Sequence, residues 1–67
     1  MEERTIGQKI KTWRIKKEFT QEKLARKADI PYTTLSKIES DVIKNPTLDT
    51  ITKIAKGLEI NLDELTS

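Results

Sequence analysis

One short stretch of the chain carries five hydrogen-bonding side chains close together, Tyr32, Thr33, Thr34, Ser36 and Lys37. The hydroxyl groups can donate and accept hydrogen bonds, and the Lys ammonium donates three. None of the five residues is acidic, and Tyr32, Thr33 and Lys37 project from one side of a helix. This chemistry suits recognition of a hydrogen-bonding surface better than catalysis. The alternative interpretation is a helix face that meets only solvent.

Other chemistries are poorly supported by the composition. The 67 residues include no Cys and no His, which removes disulfides, thiolate metal sites and the commonest general base. The chain also has no Gly-rich phosphate loop and no acidic metal cluster. We therefore expect no enzymatic activity, no cofactor and no metal. The lack of Cys, of a long apolar run and of an apolar leader predicts a protein of the reducing cytoplasm with no membrane segment.

The polar stretch lies within a predicted pair of short helices that spans about residues 20–40. Apolar residues at helical spacing mark the core-facing side of both helices, and they are Leu24, Ala25 and Ala28, then Leu35 and Ile38. The turn between them falls at Asp29 and Ile30. Pro31 is tolerated only at the beginning of a helix, so the second helix is predicted over about 31–40.

Three further helices are predicted around this pair. The first covers about residues 5–18 with Thr5 as its N-cap, the fourth begins after Thr47, and a short fifth begins near Asn61. Gly57 is expected to help end the fourth helix. The predicted core consists of Ile10, Trp13, Leu24, Leu35, Ile38, Leu48, Ile51, Ile54 and Leu58. These patterns predict an all-α bundle of about five helices forming a single domain over residues 1–67.

The end of the chain has more apolar residues than so short a tail is expected to bury. Ile60, Leu62 and Leu65 follow the fourth helix within six residues. A surplus of apolar side chains at a terminus favours association with a second copy. We therefore expect these three residues at a homodimer interface.

The charge distribution is uneven. Residues 4–27 carry nine Lys and Arg against two acids, whereas residues 28–67 carry four Lys against seven acids. A basic half beside an acidic half is typical of a chain that binds a polyanion on one face. The alternative is that charged residues, 36% of the total, simply solvate a small helical protein.

The order of residues along the chain resembles the phage-repressor/Cro-type (XRE-type) helix-turn-helix family over about residues 6–65. The matching residues are Ile10, Arg14, Phe19, Thr20, Gln21, Leu24, Ala25, Ile30, Leu35, Ser36, Ile38, Glu39, Pro46, Thr47, Leu48, Ile54, Ala55, Lys56, Leu58 and Ile60. The resemblance implies a lambda-repressor-like bundle that binds double-stranded operator DNA, usually as a dimer. In such proteins the second helix of the motif enters the major groove.

By this resemblance, Gln21 would anchor a backbone phosphate. Tyr32, Thr33 and Lys37 would face base edges, with Thr34 and Ser36 near bases or backbone. Several basic residues could neutralise phosphates, namely Lys9, Lys11, Lys16, Arg26, Lys27 and Lys44.

Two structural expectations also follow from the resemblance. Arg14 and Glu39 match a pair that forms a partly buried salt bridge between the first and third helices. The family often has Gly at the positions of Glu18, Asp29 and Asp41, where the backbone commonly adopts a positive φ.

The predicted function is therefore that of a sequence-specific DNA-binding transcriptional regulator, and more specifically of a repressor. One alternative is an antitoxin-type module of the same fold that holds a partner protein such as a toxin. Another is the DNA-binding domain of a longer regulator.

Overall fold

The computed structural model describes residues 4–66, which form five α-helices and no β-strand. The helices are α1 (Ile6–Lys16), α2 (Gln21–Ala28), α3 (Tyr32–Glu39), α4 (Leu48–Leu58) and α5 (Leu62–Thr66). The predicted all-α class and the number of helices are confirmed. The extreme ends of the predicted 1–67 domain lie outside the described residues. No helix within residues 4–66 is long and apolar enough to cross a membrane.

Side-chain caps explain where three of the helices begin. The Thr5 hydroxyl accepts a bond from the Gln8 backbone N–H, and the Gln8 side chain accepts one from the Thr5 N–H. Thr20 and Thr47 likewise each accept a bond from the N–H three residues further on. Such caps satisfy backbone donors that have no partner within the helix. Helix α3 instead has Pro31 at its N-cap, without a side-chain bond.

Four residues other than Gly adopt the left-handed backbone conformation. Glu18, Asp29 and Asp41 have φ of 61°, 59° and 65°, which confirms the expectation for those positions. Glu59, with φ of 62°, was not predicted. This residue caps α4, so the expectation that Gly57 ends that helix is wrong.

Gly57 has a packing role within α4. A Cβ at Gly57 would lie 2.9 Å from the backbone nitrogen of Ala28 on α2. These two helices pack on each other more extensively than any other pair. The absence of a side chain at Gly57 therefore permits the close approach of α4 to α2.

The core lies where all five helices meet. Its fully buried side chains are Ile10, Leu24, Leu35, Ile38, Ile54, Leu58 and Leu65, with Trp13 and Ile51 packed at its edge. The predicted core residue Leu48 is 68% exposed, so this prediction is wrong. Leu48 is the first residue of α4. The apolar side of α4 therefore begins at a point that the other helices do not cover.

The prediction that Leu65 lies at a dimer interface at the end of the chain is wrong. Its side chain is completely buried, because α5 packs against α1 and α4 of the same chain. It therefore has no surface left for a second copy. Ile60 and Leu62 are half-buried against the core and keep some exposed surface.

Candidate nucleic-acid interface

Helix α3 has one face in the core and one face in solvent. Its buried face consists of Leu35, Ile38 and Glu39. The polar residues lie mostly on the other face, and of these Tyr32, Thr33 and Lys37 are exposed, while Thr34 and Ser36 are partly buried. At 3.6 residues per turn, Thr33, Ser36 and Lys37 fall on one outward stripe, and Tyr32 lies at its edge. The structure therefore brings the predicted hydrogen-bonding residues together on an accessible surface.

The same stripe extends to Ser40, which sequence reasoning did not single out. Ser40 follows Ser36 by one helical turn and is exposed. Its hydroxyl donates a hydrogen bond of 3.3 Å to the Lys37 backbone carbonyl. The four-residue spacing from Ser36 was a signal that could have identified it.

The end of α3 is fixed by the backbone of the loop that follows. The Lys37 carbonyl accepts hydrogen bonds from the Val42 and Ile43 N–H groups at 2.9 and 3.0 Å. Ile43 packs against the core, whereas Val42 points into solvent. This arrangement holds the loop against the helix and leaves the Lys37 side chain exposed. Within residues 4–66 its ammonium has no acidic partner.

Gly7 sets how closely α1 approaches the same end of α3. A Cβ at Gly7 would overlap the carbonyl oxygen of Ile38 and lie 2.9 Å from Oδ1 of Asp41. Only glycine fits this contact without displacing α3. The role of Gly7 could not be predicted from the sequence, because a Gly near the start of a helix gives no indication of its distant neighbour.

Arg14 and Glu39 connect α1 to α3. The Arg14 Nε lies 2.9 Å from Glu39 Oε2, and Arg14 Nη1 donates a 2.7 Å bond to the Phe19 carbonyl. Glu39 is a buried charged residue of the core, only 7% exposed. The guanidinium therefore holds both α3 and the α1–α2 connection in place.

Gln21, the first residue of α2, belongs to the same hydrogen-bond network. Its Nε2 donates to Glu39 Oε1 at 3.1 Å, a contact that sequence reasoning missed. Gln21 and Glu39 also line a cleft of about 120 Å³ together with Lys11, Ser36 and Ser40. The cleft lies where α1, α2 and α3 meet, beside the outward stripe of α3.

The predicted phosphate-neutralising residues fall into two groups. Three make contacts within the chain: Lys9 donates to the Thr66 carbonyl, Lys16 lies over the Trp13 ring, and Lys27 pairs with Glu59. The other three, Lys11, Arg26 and Lys44, are exposed, and Lys11 borders the cleft. The surface around α3 is thus supplied with cations from α1 and from the loop after α3.

A family model described as helix-turn-helix matches residues 10–65. The transcriptional regulator SinR of Bacillus subtilis is 33% identical over 60 residues, which cover 90% of this chain and 54% of SinR. The immunity repressor of Bacillus phage phi105 is 38% identical over 61 residues, 91% of this chain and 42% of the repressor. The chain thus spans about half the length of each of these two relatives.

Solved structures of SinR have the same fold. A crystal structure of SinR in complex with DNA superposes with a TM-score of 0.87 at 32% identity, covering 94% of this chain and all of that one. SinR in a complex with SinI gives the same TM-score and identity, with 61% of that chain covered.

Proposed function

The chain belongs to the phage-repressor/Cro-type (XRE-type) helix-turn-helix family, and we propose that it is a sequence-specific DNA-binding transcriptional regulator that acts as a repressor. The observation that carries this proposal is the exposed polar stripe of α3, whose opposite face is fixed in the core. In the proposed complex α3 lies in the major groove. Lys37 donates to guanine O6 and N7, and Tyr32 and Thr33 contact base edges or thymine methyl groups.

Phosphate contacts position this helix on the duplex. Gln21 stands at the N-terminus of α2, where backbone N–H groups and the helix dipole favour an anion. Lys44, exposed in the loop after α3, contributes a salt-sensitive contact. Thr34 and Ser36, both partly buried, are proposed to lie close to the DNA backbone or to bases.

The relatives support this role. SinR is a transcriptional regulator, and its structure in complex with DNA has the same fold as this chain. The phi105 relative is an immunity repressor. We propose by the same reasoning a cytoplasmic, non-enzymatic protein without a cofactor, in which residues 1–67 form a single DNA-binding domain.

The DNA-bound form is proposed to be a homodimer. Ile60 and Leu62 each keep part of their apolar surface exposed at the α4–α5 junction, which favours contact with a second copy. A two-fold dimer would place two copies of α3 about 34 Å apart, one turn of DNA, so that each reads one half-site.

A protein partner is the second candidate function, in the manner of an antitoxin-type module. The observation that favours it is the complex of SinR with SinI. The length of SinR relative to this chain also supports the alternative that residues 1–67 are the DNA-binding domain of a longer regulator. Purification from the native host followed by mass spectrometry would identify a stoichiometric partner.

Selection from a pool of randomised duplexes tests the main proposal. We expect enrichment of one motif with two-fold symmetry, and affinity for it that falls steeply with salt. Enrichment of no motif after repeated rounds would contradict sequence-specific binding. A motif without symmetry would contradict the dimer while leaving the recognition helix in place.

A further inference from the structure

We propose that Glu39 is a positioning residue for DNA binding, because it fixes the direction in which the Gln21 carboxamide donates to a phosphate. This inference rests on the proposed function and assigns a role within the same site. It concerns the hydrogen bond from Gln21 to Glu39, which joins the N-terminus of α2 to the buried face of α3.

The chemistry of the two groups decides the orientation of the Gln21 side chain. An ionised carboxylate can only accept hydrogen bonds, so the amide must turn its NH2 group toward Glu39. One N–H then points to Glu39 Oε1 at 3.1 Å, and the second N–H is left for another acceptor. A phosphate oxygen is such an acceptor. The carboxamide oxygen, which would repel a phosphate, is kept in a defined place.

The acceptor is itself held rigidly. The Glu39 side chain is 2% exposed, and its other oxygen accepts the bond from Arg14 Nε at 2.9 Å. Arg14 is fixed in turn by its bond to the Phe19 carbonyl. A Gln side chain otherwise has several accessible rotamers, and ordering them on binding lowers affinity. The network orders Gln21 before DNA arrives.

The surroundings of Gln21 fit a phosphate. The cleft beside it is bordered by the Lys11 side chain and by two hydroxyl-bearing residues, Ser36 and Ser40. The negative charge of Glu39 in the same cleft is compensated by Arg14. A backbone phosphate at the cleft mouth would thus meet N–H, O–H and ammonium donors with a neutralised carboxylate behind them.

A double-mutant cycle on DNA affinity tests the proposal. With Gln at position 39, the side-chain oxygen stays with Arg14 and the NH2 group faces Gln21, which can no longer donate to it. Glu39→Gln should therefore weaken binding about threefold to tenfold in the wild-type background. In the Gln21→Ala background the same change should have no further weakening effect. Any effect of removing a negative charge near phosphates is the same in both backgrounds and cancels in the cycle.

The matched control combines Glu39→Gln with Lys44→Ala, which lies outside the network. The two losses there should multiply, as expected for independent sites. If Glu39→Gln lowers DNA affinity by the same factor with and without the Gln21 side chain, the positioning role is wrong. The proposed function would still hold in that case, provided that the wild-type protein binds DNA. Failure of the wild-type protein to bind any duplex would contradict the proposed function instead.

A measurement on the wild-type protein covers the case in which Glu39→Gln does not fold. Nitrogen-15 relaxation of side-chain amides should show that the Gln21 NH2 is as restricted as the α2 backbone. The Asn45 NH2, in the exposed loop without a hydrogen bond among residues 4–66, should be mobile on the nanosecond timescale. Equal mobility of the two amides would overturn the proposal.

Discussion

Arg14 Nε lies 2.9 Å from Glu39 Oε2, in an ion pair whose side chains are only 14% and 2% exposed. Removing two charges from water is expensive, and a buried pair is no simple source of stability. What the pair provides is a fixed relation between α1 and α3, since the guanidinium donates to Glu39 on α3 and to the Phe19 carbonyl after α1 at the same time. The orientation of the polar stripe on α3 depends on this relation.

Breaking this ion pair from one side should destabilise the fold strongly. Arg14→Met or Glu39→Leu alone should lower the free energy of unfolding by about 3–5 kcal/mol, because one buried charge loses its partner. The double variant should lose much less than the sum of the two. Urea denaturation of the four proteins measures the coupling, and an additive result would show that the pair is not coupled in solution. Lys53→Ala, which breaks the exposed pair with Asp49, serves as control and should change stability by less than about 0.5 kcal/mol.

Two leucines should respond very differently to truncation. Leu35→Ala should cost about 2–5 kcal/mol, since the side chain is completely buried in the core. Leu48→Ala should change stability by no more than about 0.5 kcal/mol, because that side chain is mostly exposed. Thermal and urea unfolding of both variants compare the two sites. Equal losses would contradict the assignment of Leu48 to the surface.

The left-handed residue Glu18 offers a stabilising change. Glu18→Gly should raise the free energy of unfolding by about 1 kcal/mol, because Gly adopts positive φ without a Cβ penalty and an acidic side chain at a helix C-terminus opposes the dipole. Its neighbour Lys17 has φ of −84°, and Lys17→Gly should instead destabilise by about 0.5–1 kcal/mol. Denaturation midpoints measure the stability of both variants. A more stable Lys17→Gly protein, or a less stable Glu18→Gly protein, would contradict the conformational penalty assigned to Glu18.

Gly7 should tolerate no larger residue. Gly7→Ala should destabilise the protein by about 1–3 kcal/mol, because the added methyl group overlaps the Ile38 carbonyl and must displace the end of α3. The control is Gln8→Ala at the exposed neighbouring position. This change removes one of the two hydrogen bonds of the capping box, and it should lower the stability less than Gly7→Ala does. Calorimetric melting of the two variants measures the difference. A Gly7→Ala protein as stable as the wild type would show that α1 and α3 can move apart without loss of stability.

The sequence predicted the elements of this fold more reliably than their contacts. Apolar periodicity and Thr caps identify helices from local residues alone, and the helix starts predicted from the sequence lie within about two residues of those observed. Periodicity says which side of a helix is apolar but not whether a neighbour covers it. Leu48 lies on the apolar side of α4 without a covering helix, whereas Leu65 is buried because α5 closes over α1 and α4.

The candidate site shows the same division. The polar stripe of α3 could be predicted from spacing, because it belongs to one helix. The bond from Gln21 to Glu39 joins residues 18 apart in sequence, and it depends on how α2 and α3 cross. Gly7 meets α3 for a similar reason. Contacts of this kind follow from the packed bundle rather than from any local pattern.

The division of roles between α3 and the N-terminus of α2 is the central claim. The most direct test measures the affinities of Lys37→Ala and Gln21→Ala for the selected operator and for all of its single-base variants. Lys37→Ala should lose about 1–3 kcal/mol of binding free energy and relax the preference at one base position. Gln21→Ala should weaken binding to every variant nearly equally, since a phosphate contact carries no base information. Unchanged relative affinities with Lys37→Ala, together with a selective loss at one position for Gln21→Ala, would contradict this assignment.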